Sequence, residues 1–129
     1  MLDQFPNDVS YAIKHFPLTS HQFAFPGAMA VLAAGQQNKY WEFHRQLLER
    51  HNKVNDETLV DIAQGLELDM ERFNQDRQSD ANRQLIQEDI KNGKAIGVRG
   101  TPSVFLNGKR IENKDISNLP ALISRALRK

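Results

Sequence analysis

The stretch Val98-Arg-Gly-Thr-Pro-Ser-Val-Phe-Leu-Asn-Gly-Lys-Arg-Ile111 constrains this chain more than any other. Gly100-Thr101-Pro102 reads as a loop, and the apolar run Ser103–Leu106 as a short strand. Asn107-Gly108 is the favoured pair for a two-residue type I′ turn, because both positions need positive φ. Lys109–Ile111 then returns as a short edge strand. A proline at the mouth of a strand has no N–H to offer a ladder, so it belongs at the first position or in a turn. In the cis form, Thr101–Pro102 would present the preceding backbone to solvent as a fixed ledge.

The chain has 129 residues, 40% hydrophobic and 26% charged, the make-up of one ordinary globular domain. Seventeen basic and sixteen acidic residues give +1, with no block of like charge, which argues against a nucleic-acid or anionic-membrane surface. No apolar run approaches the ~20 residues of a membrane span. Met1-Leu-Asp-Gln-Phe-Pro6 lacks the basic and apolar regions of a signal peptide. There is no cysteine, which removes disulfides, zinc–thiolate sites and thiol chemistry together.

Taken in order, Met1–Pro6 reads as the tail of a helix stopped by proline, and Val9–Lys14 as a strand with Val9, Tyr11 and Ile13 on one face. A loop over Thr19–Pro26 leads into a helix at Gly27–Gln36 that is apolar nearly all round, with Gly35 as a left-handed cap. Asn38 is expected to cap a second helix, Lys39–Arg50, whose wide apolar face includes Tyr40, Trp41, Phe43, Leu47 and Leu48. Asn55, Asp69 and Ser79 or Asp80 cap three further helices, the last carrying Leu85, Ile86 and Ile90 and ending by Gly97. Ser117 caps a final helix, with Pro120 in its first turn and Leu119, Leu122, Ile123, Ala126 and Leu127 facing the sheet.

Four places in order, Tyr11-Ala-Ile-Lys-His-Phe-Pro-Leu18, Ala28-Met-Ala-Val-Leu-Ala-Ala-Gly35, Lys39-Tyr-Trp-Glu-Phe-His44 and Gly97-Val-Arg-Gly-Thr-Pro-Ser-Val-Phe105, carry a resemblance to the DsbA-like thiol–disulfide oxidoreductases. The resemblance implies an α/β fold, thioredoxin-like with an inserted helical subdomain. It makes residues 1–129 a single incomplete domain, with thioredoxin-fold parts at about 1–18 and 97–129 and the helical insertion at about 27–95. The family's Cys-x-x-Cys is missing. By the resemblance, the central strand, the two cysteines and most of their helix would precede Met1, leaving the sheet truncated at its N-terminal side. The strands Val9–Lys14 and Ser103–Leu106 then have open edges. Two arrangements follow: direct antiparallel pairing of those strands, or completion of the sheet in a homodimer.

The resemblance also names a site. Gly100, Thr101 and Pro102 form the family's cis-proline loop, where the residue before the proline offers backbone N–H and C=O to an extended protein or peptide substrate. Phe16 and Phe25 line an apolar groove beside it. No catalytic residue is present, because exchange needs a thiolate and no Gly-x-Ser-x-Gly element offers a serine substitute. No cofactor or metal is expected. His44 and His51 are seven residues apart, too far along a helix to chelate together, and His15 and His21 flank a loop. His15 and His44 recur in the family's pattern as packing and hydrogen-bonding positions. A DsbA-like parent would be periplasmic or exported, whereas a true start at Met1 would leave the chain cytoplasmic. Two other functions fit the pattern: a non-catalytic thioredoxin-fold module that binds a partner or itself, and a glutathione-dependent isomerase or transferase relative.

Overall fold

Among the described residues the regular structure is six α-helices, one hairpin and short 3₁₀ segments. The computed structural model describes residues 4–17, 22–99 and 103–128. The elements run α1 (Ala24–Gly35), α2 (Tyr40–Glu49), α3 (Asp56–Gly65), α4 (Met70–Asp76), α5 (Asp80–Ala95), β1 (Val104–Leu106), β2 (Lys109–Ile111) and α6 (Leu119–Leu127). They divide into two compact units, one of residues 15–97 and one of residues 1–14 with 98–129.

The helical unit is built around α1. Its small residues Ala30, Ala33 and Ala34 are fully buried, and so are Phe43 of α2, Leu59, Ile62 and Ala63 of α3, and Phe73 of α4. Alanines on a central helix let neighbouring helices approach closely, and the large residues of those neighbours fill the space between. Phe43 and Phe73 meet with ring centroids 5.8 Å apart.

Three helices start where the sequence places their caps. The side chains of Asn55, Asp69 and Ser79 accept from the N–H groups of Thr58, Arg72 and Asn82 at 2.8, 3.1 and 3.2 Å, each satisfying one otherwise orphaned donor. Two expected caps are corrected. Asn38 does not cap α2: it is a linker residue with φ +63°, and Lys39 precedes the helix. Asparagine tolerates this left-handed backbone better than most residues, so it serves the turn instead. Nor is Gly35 the left-handed cap of α1, since it lies inside the helix. Its role is close approach, because a Cβ there would lie 3.1 Å from the Tyr40 ring. Ser117 falls within a 3₁₀ turn, Asn113–Asn118, that runs directly into α6. The helix α1 also starts three residues before Gly27, taking in Phe25 and Pro26. Pro26 is third in that helix, where its missing N–H leaves no bond unmade.

The other unit holds the hairpin. Asn107 and Gly108 have φ +50° and +81°, as a type I′ turn requires, and the register is Val104↔Ile111, Phe105↔Arg110 and Leu106↔Lys109. Residues 9–14 are not a strand, although the alternation predicted one. Val9 and Ile13 are half-buried while Tyr11 is 51% exposed, and among the described residues no second strand lies against them to complete a ladder. Periodicity alone does not make a strand without a partner. The direct pairing of 9–14 with β1 is therefore not how the sheet is organised. α6 contributes the buried Ile123, but Leu127 points outward, as do Trp41, Leu48 and Leu85 of the helical unit.

Candidate functional site

The sequence-predicted site divides between described and undescribed residues. Gly100, Thr101 and Pro102 lie outside the described ones. Their flanks are placed: Val98 is buried, Arg99 is exposed, Ser103 is half-buried, and β1 begins at Val104, two residues after the proline.

Phe16 and Phe25 belong to the helical unit, both half-buried. Phe25 is second in α1, and the Arg83 guanidinium of α5 sits 5.9 Å from its ring centroid. Part of its face is therefore spent on a cation–π contact rather than on an open groove. Phe16 follows His15, whose backbone N–H donates to the Asp89 carboxylate of α5 at 3.0 Å.

The structure brings together a group that spacing did not single out. Tyr40 stands at the centre: its hydroxyl lies 3.1 Å from His15 Nε2, its ring stacks on His44 at 6.2 Å, and Trp41 packs edge-on at 5.2 Å. Trp41 also meets His44 edge-on at 6.1 Å. Tyr40 and His44 are one helical turn apart, a signal the sequence did carry, while His15 arrives from a distant segment that no local spacing reports. His51 does not join them; its Nδ1 lies 3.0 Å from the Leu48 carbonyl oxygen. Among the described residues no three metal-ligating side chains converge, and what this group shows is a packed aromatic–imidazole cluster.

Burial pushes the His44 imidazole below its ordinary value. Between that lowered value and the ordinary one, the unfolded chain holds a proton that the folded chain does not. The His44 contribution to stability is therefore complete above the ordinary imidazole value and is lost as pH falls through that window to the folded value. Trp41 is the sole tryptophan, so its emission reports the event. Its fluorescence is expected to be quenched on acidification with an apparent midpoint below that of a free imidazole, and His44→Gln is expected to abolish that step. A step that survives His44→Gln would assign it to another group.

The chain has no cysteine, so these 129 residues carry no thiolate of their own. The comparisons agree with the fold. A family model described as thioredoxin matches residues 6–125. A solved thioredoxin-like oxidoreductase from Silicibacter pomeroyi superposes with TM-score 0.76 at 27% identity, covering 90% of this chain and 67% of that one. Among curated proteins, the Na(+)/H(+) antiporter NhaA 1 of Salinispora arenicola is 34% identical over 98% of this chain, which spans 20% of the antiporter. NhaA 1 of Mycobacterium sp. (strain KMS) is 31% identical over 82% of this chain, which spans 18% of it. The chain thus spans about a fifth of the length of these curated relatives. No described helix is long and apolar enough to cross a membrane. With a match from residue 6 to residue 125 and an oxidoreductase of the same fold, the chain belongs to the thioredoxin family.

Proposed function

We propose that this chain is the peptide-binding framework of a DsbA-like thiol–disulfide oxidoreductase and does not itself catalyse exchange. One observation carries the reading: a thioredoxin match over nearly the whole length of a sequence with no cysteine. Exchange passes through a mixed disulfide, which needs a sulfur on the protein. A thiolate acting at this framework therefore comes from outside these 129 residues. What supports peptide binding is the resemblance, in which the residue before the proline, Thr101 in this sequence, would offer its backbone N–H and C=O to an extended substrate.

The antiporter names of the relatives do not change this reading. The thioredoxin match covers nearly all of the stretch they share with this chain, so we read that stretch as a thioredoxin-like part of those proteins and assign it no ion exchange.

The test titrates a thiol-free extended peptide into the labelled chain and follows amide shifts. Shifts confined to residues 98–106 are expected, with Thr101→Pro, which deletes one N–H, weakening binding by up to about tenfold. Shifts that fall instead on the exposed Trp41 and Leu48 face, or binding indifferent to Thr101→Pro, would remove the loop from the reading.

A further inference from the structure

We propose that Tyr40 is a one-electron oxidation site whose phenol proton passes to His15 Nε2. The reaction partner is a one-electron oxidant, and the chemistry needs no sulfur and no peptide substrate.

The geometry begins with a part-buried hydrogen bond between distant segments. The Tyr40 hydroxyl on α2 lies 3.1 Å from His15 Nε2, across 25 positions of sequence. That separation is within reach of direct proton transfer. A second bond holds His15 in place, since its backbone N–H donates to the Asp89 carboxylate of α5 at 3.0 Å. Phenol and imidazole are thus fixed against each other by two different helices.

The chemistry follows from what oxidation does to a phenol. An intact phenol holds its proton up to about pH 10, so none passes to imidazole at rest. A phenol that has lost an electron is a strong acid and gives that proton to a base in contact with it. A neutral imidazole that carries its hydrogen on Nδ1 is such a base at Nε2. Moving proton and electron together avoids the high-energy radical cation, so a weaker oxidant suffices. The electron leaves the Tyr40 ring for the oxidant, the phenol O–H bond breaks, and an N–H bond forms at His15 Nε2. The products are a neutral phenoxyl radical, an imidazolium and an oxidant reduced by one electron.

Three neighbours suit those products. The Asp89 carboxylate places an anion beside the residue that gains positive charge. His44 stacks on Tyr40 with ring centroids 6.2 Å apart, and burial favours its neutral form, so it sets no second cation against the new one. Trp41 meets the Tyr40 ring edge-on at 5.2 Å and is 47% exposed, which gives an oxidant in solution an aromatic contact one ring away.

The test forms tris(bipyridine)ruthenium(III) by a laser flash with persulfate and follows radical absorbance in the 129-residue chain. The chain has two tyrosines, so Tyr11→Phe leaves Tyr40 as the one source of a phenoxyl band. In that background the band is expected to form, and to form more slowly in deuterium oxide because a proton moves with the electron. His15→Phe is expected to slow it by on the order of a hundredfold. His15→Gln keeps a hydrogen-bonding side chain but no base, and is expected to stay slow, which a merely structural contact would not require. The deuterium measurement keeps His15 and so does not depend on those variants folding. A phenoxyl band indifferent to deuterium oxide overturns the inference. So does a His15→Gln chain that reacts as fast as its parent, or a radical that stays on the Trp41 indole.

Discussion

Phe43→Ala is expected to lower the unfolding free energy by about 3–5 kcal/mol, a large share of the roughly 5–15 kcal/mol that holds a domain of this size. Phe43 is fully buried where α1, α2 and α4 converge, and its ring lies 5.8 Å from that of Phe73. Three of the four residues that α1 gives this core, Ala30, Ala33 and Ala34, are alanines, which have little side chain with which to fill the void. The Arg77 guanidinium also lies over Phe73, 5.4 Å from its ring centroid, and Arg77 is in turn anchored to Asp56 at 2.6 Å. The site therefore relaxes poorly. Urea unfolding followed by far-ultraviolet circular dichroism measures the loss, and the double variant with Phe73→Ala should lose less than the two single losses added, because the rings share one cavity. A loss below about 1 kcal/mol for Phe43→Ala would mean that the helical unit is not packed as described.

Asn82→Ala is expected to cost about 1–3 kcal/mol despite the small change in volume. Asn82 is the one buried polar residue among the described residues, and its amide nitrogen donates to the Asp76 carbonyl at 2.9 Å and to Gln36 Oε1 at 3.2 Å. Those two bonds tie the end of α4 and the turn after α1 to the first turn of α5. Alanine removes the donor from both partners, although Gln36 is exposed to water and the Asp76 carbonyl keeps a second bond from the Ser79 N–H. The cost should thus fall in the lower half of that range, and Asn82→Asp, which retains an acceptor but no donor, should not rescue it. Equal stability of the alanine variant and the parent would show that water replaces both bonds.

Much of the fold was legible because its signals are local. Asn55, Asp69 and Ser79 announce helix starts through side chains that need only reach three residues ahead, and Asn107-Gly108 announces the hairpin through φ alone. What was not legible depends on partners distant in sequence. The alternation of Val9, Tyr11 and Ile13 is that of a strand, but the segment has no described strand beside it. Trp41 and Leu48 continue the apolar spacing of α2, yet the helix is wider in apolar residues than the face its neighbours cover, and both remain largely exposed. The cluster around Tyr40 was half visible, through His44 one turn on, and half hidden, since His15 reaches it across 25 residues. The site at Gly100, Thr101 and Pro102 stands on sequence and resemblance alone and lies outside the described residues.

The most direct test of the account is a turnover assay on the 129-residue chain, following oxidation of a reduced two-cysteine peptide in a glutathione buffer. The account predicts a rate equal to the buffer alone at every protein concentration, because a framework without cysteine has no sulfur to form the mixed disulfide. A rate that rises in proportion to the chain would contradict it, and would require chemistry at these residues that does not pass through a protein thiolate.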